Sequence, residues 1–183
     1  MASIIRTKCF VTAILGTAVL CAASSVWAQQ KYQYGYSAPP TSSRYVQRHA
    51  IPVGDLDGHE IVVYELERIY ATDQPTIMGL KVMESRGYGL TDQTNGVGTT
   101  EGYNIWTLED GSKIFSDFHG SVFGELSETG FRRGTYHGTA RFLGGTGKFA
   151  ALRGTLTDVV EYYADPKVGY NRPVSHGEYW FAK

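Results

Sequence analysis

From His59 onward the hydrophobic and polar residues of this chain alternate with a period of two. His59-Glu-Ile-Val-Val-Tyr-Glu-Leu-Glu-Arg-Ile-Tyr70 is rich in β-branched and aromatic residues, and Asp73-Gln-Pro75 closes it, which reads as a strand and its turn. Ile77 to Leu90 follows, ending in Gly87-Tyr-Gly89. Gly102 to Leu108 and Lys113 to Phe123 flank Glu109-Asp-Gly111. Asp-Gly is a strong hairpin signal, because it tolerates the positive φ that such turns require. Gly134 to Phe142, Gly154 to Tyr163 and Ser175 to Phe181 complete the set, and no segment carries a helical stripe. The pattern predicts an all-β protein of seven or eight long antiparallel strands. Abundant glycine favours closure into a barrel, which removes sheet edges and needs tight bends at its corners. A two-sheet sandwich is the competing architecture.

The N-terminal segment changes where such a domain would work. Arg6 and Lys8 precede an apolar run from Phe10 to Val19, too short to span a bilayer, and Val26-Trp27-Ala28 resembles a cleavage site before Gln29. Residues 1–28 are therefore expected to be a cleaved signal peptide, with a periplasmic or secreted product and no membrane insertion after cleavage. Both cysteines, Cys9 and Cys21, leave with it, so the domain must hold itself together by its core without disulfides. Gln29 to Ser43 is rich in Tyr, Gln, Ser and Pro without an apolar period. Residues 29–45 are expected to form a flexible leader, and 46–183 the barrel.

Net charge and motifs exclude several functions. The chain carries a formal charge of −1, and signal removal takes two bases and no acid, which argues against a nucleic-acid or anionic-membrane partner. Gly145-x-Gly147-x-x-Ala150 fits a loose dinucleotide fingerprint, and Gly147-Lys148 suggests a phosphate loop. Neither sits in the strand–helix–strand context that those mechanisms need. The five histidines, His49, His59, His119, His137 and His176, show no metal-ligand spacing, and no nucleophile elbow is present. No metal or other cofactor is expected.

The strand holding Tyr64-Glu-Leu-Glu-Arg68 is the best candidate for chemistry. Ile61, Val63, Glu65 and Glu67 share one face, and Val62, Tyr64, Leu66, Arg68 and Tyr70 share the other. Neither face is cleanly apolar. Carboxylates facing into a barrel would gain proton affinity by desolvation and suit general acid–base work. The same residues facing water would be inert, and the pattern leaves the two readings even.

Four stretches together carry a family resemblance. They are Val63-Tyr-Glu-Leu-Glu-Arg68, Tyr103-Asn-Ile-Trp-Thr-Leu-Glu-Asp-Gly-Ser-Lys-Ile-Phe115, Gly144-Gly-Thr-Gly-Lys-Phe-Ala-Ala-Leu-Arg-Gly154 and Asp158-Val-Val-Glu-Tyr-Tyr163. In that order they resemble the allene oxide cyclase/dirigent barrel superfamily, over residues 59 to 181. The resemblance implies an eight-stranded antiparallel β-barrel around an apolar pocket, often oligomeric, that steers a small reactive hydrophobic molecule without a metal or redox cofactor. It implies catalytic roles for Glu65, which matches the cyclase glutamate, and for Glu67, which replaces an asparagine. Trp106, Phe115, Phe142 and Trp180 would shape the ligand site. Arg153 would either supply a cation to that site or buttress the glycine-rich loop. Glu161, Asp117 and His119 are further polar candidates. An exported cyclase or isomerase and a non-catalytic binding or structural protein of the cell envelope are both compatible with this sequence, and a homo-oligomer is left open.

Overall fold

One antiparallel sheet of ten strands makes up the fold in the computed structural model, which describes residues 29–126, 132–163 and 170–183. The expected signal peptide, 1–28, lies outside the described residues. The strands are β1 (Tyr32–Ser37), β2 (Ser43–Pro52), β3 (His59–Ile69), β4 (Thr76–Ile77), β5 (Leu80–Thr94), β6 (Val97–Leu108), β7 (Lys113–Leu126), β8 (Arg132–Gly145), β9 (Leu152–Tyr163) and β10 (Tyr170–Phe181). Their order is β1-β10-β9-β8-β7-β6-β5-β3-β2, with β4 paired to β5 off this path. No α-helix occurs among the described residues.

Local sequence explains the meander from β5 to β10. Asn95 and Gly96, at φ of 52° and 88°, make the tight turn joining β5 to β6, in the conformation that matches strand twist. Gly111, at φ of 80°, sits in the expected turn between β6 and β7. Along β9 the alternation is regular: Leu152, Gly154 and Leu156 are buried, while Thr155, Thr157 and Val159 are exposed. Register shifts between Val82 and Glu84, Tyr45 and Gln47, and Phe115 and Ser116 exchange the faces locally.

Two expectations need correction. Residues 32–37, read as part of a flexible leader, form β1 and pair with β10. Tyr34 is only 5% exposed, and its ring meets Phe142 and Trp106 edge-on at centroid distances of 5.8 and 6.5 Å. Its tyrosines therefore fill the core. The sheet also has ten strands rather than eight, and hydrogen bonds do not close it: β1 and β2 are its edges. Between them the chain passes Pro39 and Pro40 into a short 3₁₀ turn, Pro40–Ser42, and prolines have no N–H to offer a ladder. Side chains span the seam instead. Ser43 on β2 donates to the Asn171 carbonyl on β10 at 3.3 Å, and Arg68 donates to the Asn171 side chain at 2.6 Å.

The packed core fills one end. Tyr70, Ile77, Leu108, Ile114, Phe142, Phe149 and Leu152 are nearly or fully excluded from solvent there. The glycine-rich stretch that follows β8 caps this end. Gly144 and Gly147 take φ of 135° and 53°, a 3₁₀ turn covers Gly147–Phe149, and Phe149 enters the core at 0% exposure. The stretch is the bend between β8 and β9, the role its all-β context predicts.

Candidate functional site

The inward face beyond the packed end leaves a cavity of about 140 Å³. Every strand except β4 contributes to its wall, so the sheet curls around it. Two kinds of side chain line it. Val62, Leu66, Phe118, Val122 and Val160 supply apolar surface, while Arg48, Arg68, Thr91, Gln93 and Asp158 supply polar groups. Tyr36, Tyr45, Tyr64 and Tyr136 line it as well, each with an apolar ring and a polar hydroxyl.

Close packing of aromatics on glycine shapes this wall. Gly89 and Gly102 face each other across β5 and β6. A Cβ on Gly89 would stand 2.3 Å from the Tyr64 ring, and one on Gly102 would stand 2.5 Å from Phe118. The two rings thus take up the space that a side chain at each glycine would need. Hydroxyls tie the wall together: Thr91 donates to Thr100 at 2.8 Å, and Thr100 donates to the Leu90 carbonyl at 3.0 Å.

The electrostatics centre on Asp158 and Arg68. Asp158 is the single carboxylate on the cavity wall among the described residues. Burial raises its proton affinity above the usual aspartate range, against the opposing pull of a hydrogen bond from Ser175 and the charge of Arg68. Arg68 is 8% exposed. Its Nε donates to Ser43 Oγ at 2.9 Å and its Nη2 to Asn171 Oδ1 at 2.6 Å, both neutral acceptors. Burial also pushes the Tyr36, Tyr45 and Tyr136 phenols up, so they remain neutral hydrogen-bonding groups. The arrangement can bind a ring-sized body, meet its polar end with donors, and exchange a proton with it at Asp158.

None of the site residues expected from sequence, Glu65, Glu67, Trp106, Phe115, Phe142, Arg153 and Trp180, lines this cavity, although Tyr64, Leu66 and Arg68 of the same candidate strand do. Glu65 and Glu67 lie on the outward face of β3. Arg86 spans them, at 3.2 Å to Glu65 and 2.6 Å to Glu67, while Arg44 meets Glu67 at 2.5 Å. Trp106 and Phe142 are inward but belong to the packed end, where Trp106 donates to Ser116 at 3.0 Å. Phe115 stacks outside on Tyr103, and Trp180 lies outside beneath Lys31. Arg153 donates to the carbonyls of Leu152 and Ala150, at 2.6 and 3.3 Å, which buttresses the loop. Asp117 pairs with Arg141 and Glu161 with Arg172, both outward. His119, His137 and His176 are exposed as well, and among the described residues no three metal-binding side chains gather.

Asp158 escaped the sequence reading, although a signal exists. It shares one strand face with Leu156 and Val160, so a carboxylate interrupts an inward apolar row. Comparison with protein-family models, curated proteins and solved structures finds no match to this chain.

Proposed function

We propose that this chain is an exported barrel-type protein of the allene oxide cyclase/dirigent kind, its sheet curled into a barrel with a side-chain seam. It binds one small organic molecule inside and guides its isomerisation or cyclisation by proton transfer at Asp158. A single observation supports the reading above others: a carboxyl of raised proton affinity faces a cavity with apolar and polar walls, beside a buried guanidinium. An acid so placed can protonate a substrate oxygen as a bond opens, and its carboxylate can then take a proton from carbon. No proton is gained or lost overall, as an isomerisation requires. Ser175 fixes the carboxyl, and Arg68 favours negative charge as it develops. The cavity is close in size to one of about 150 Å³ that accepts benzene, which sets the scale of the ligand.

A second reading, a non-catalytic binding protein of the envelope, draws support from Glu65 and Glu67, both engaged in ion pairs outside the cavity. Native mass spectrometry of protein purified from its own source, followed by turnover of the copurifying molecule, separates the two. Loss of turnover with retained binding in Asp158→Asn is the expected result. Unchanged turnover would remove Asp158 from the chemistry.

A further inference from the structure

The arginines of this protein divide by the face they occupy. Outward-pointing Arg44, Arg86, Arg133, Arg141 and Arg172 each hold a carboxylate within 4 Å. Outward Arg153 is spent on two loop carbonyls. The two cavity arginines differ. Arg68 bonds only to neutral oxygens although it is nine-tenths buried, and Arg48 makes no hydrogen bond or ion pair with any described residue. Asp158 is the one acid on the same wall, and it takes its hydrogen bond from Ser175, without an ion pair to either arginine. The cavity therefore carries two cations against at most one anion. Burying a guanidinium without a contacting counter-charge is costly, and a site that retains one is built for a charge that arrives.

Position within the cavity sharpens the chemistry. Arg48 stands opposite Tyr64 on β3, and Arg68 lies four residues further along the same inward face, about 13 Å away at strand rise. Arg68 adjoins Tyr70 and the packed end, whereas Arg48 lies away from it. On β3 Leu66 lies between the two arginine positions, and Tyr64, Phe118, Val62 and Tyr136 line the same cavity. A guanidinium fork matches the two oxygens of a carboxylate.

We propose that the ligand is a small monocarboxylate on a ring-sized apolar body, with its carboxylate on Arg68 and its ring against Leu66, Tyr64 and Phe118. Arg48 draws the anion toward the cavity. This rests on the reading of the cavity as the ligand site and assigns the class of molecule that it takes.

Benzoate and its neutral isostere benzamide test the assignment on the unmodified protein, by calorimetry together with NMR shifts of Phe118 and Tyr136. Benzoate is expected to bind roughly tenfold to a hundredfold more tightly than benzamide, the worth of one charge-assisted contact, and to shift both rings. Arg48→Gln, at a partly exposed position, should slow benzoate association several-fold while leaving the fold intact. Equal affinity for the two probes would overturn the anion assignment and leave the cavity reading standing. Binding that moves neither ring, or no binding by either probe, would overturn both. Inorganic phosphate matching benzoate would also overturn the assignment, because the apolar body would then contribute nothing.

Discussion

Phe149 is the part of the glycine-rich stretch on which the closed end of the sheet depends, and Phe149→Ala should be among the most destabilising single changes available. Its side chain is fully excluded from solvent. A buried phenylalanine hides at least ~150 Å² of apolar surface, worth about 4 kcal/mol at ~25 cal/mol per Å². Measured Phe→Ala losses in cores are about 3–5 kcal/mol. Lys148 stands 5.3 Å from the centre of the same ring, and such an exposed cation adds only about 0.5–1 kcal/mol. Urea unfolding followed by tryptophan fluorescence reads the change, since Trp106 is 3% exposed in the native protein. Phe149→Ala should lose about 4 kcal/mol from a total of ~5–15 kcal/mol, and Lys148→Ala about 1 kcal/mol or less. Similar losses in the two variants, both below about 1 kcal/mol, would show that the stretch is a surface bend and that the closed end holds without it.

Asp158→Asn should raise the melting temperature at neutral pH. Burial raises the folded-state pKa of Asp158, so the folded protein binds more protons than the unfolded chain just above the usual aspartate value, and stability falls there as pH rises. The variant should lose that fall, and an unchanged stability–pH curve would contradict the assignment. Glu67→Gln should instead lose about 1–2 kcal/mol in urea unfolding, a hydrogen-bonded charge contribution discounted for solvent reaching both arginines. Gly89→Ala should leave the fold intact and weaken ligand binding, because the atoms nearest the new Cβ all belong to the outer end of the Tyr64 side chain; the displaced ring then occupies cavity space. Gly102→Ala should destabilise by about 1–3 kcal/mol, since its Cβ would stand 2.1 Å from the Tyr88 carbonyl oxygen; calorimetric melting of the pair separates the two effects. His59 bonds Asp55 at 2.5 Å and Asp92 at 2.9 Å, and these contacts raise its pKa, Asp55 foremost. Its contribution is complete below the usual histidine pKa and is lost as pH rises through the raised value. The protection of the Asn95 amide, bonded to the Gly58 carbonyl, should fall across that window once the intrinsic base catalysis of exchange is divided out, and a pH-independent protection factor would contradict it.

Strand identity was legible from period-two patterning because most of the wall obeys it, as β9 does. The face that each strand turns inward was less legible, for a physical reason. Around the cavity the usual pattern inverts: Arg48, Thr91, Gln93 and Asp158 point in, while Val63, Leu90, Val97 and Phe123 are 42–54% exposed. On β3, hydrophobicity therefore cannot say which side is the interior. β1 was missed because tyrosine, glutamine and glycine compose it, which resembles a solvated leader until Tyr34 is seen against Trp106. The side-chain contacts across the seam were also invisible, since they rest on Ser43, Arg68 and Asn171, residues far apart in the chain.

Burial alone would have selected the wrong carboxylate. Glu67 is 6% exposed, yet each of its oxygens accepts from a guanidinium at 2.6 Å. Held by two guanidinium groups, it joins β2, β3 and β5 as a strut. Asp158 retains more surface but has one hydroxyl as its hydrogen-bond partner, and burial favours its neutral form. Burial shifts Asp158 toward its neutral form, the direction that suits exchanging a proton with a ligand. The opposite signs expected for Glu67→Gln and Asp158→Asn follow from this difference in partners. The candidate carboxylate in such a wall is the one that meets no guanidinium in an ion pair, whichever of the two is deeper.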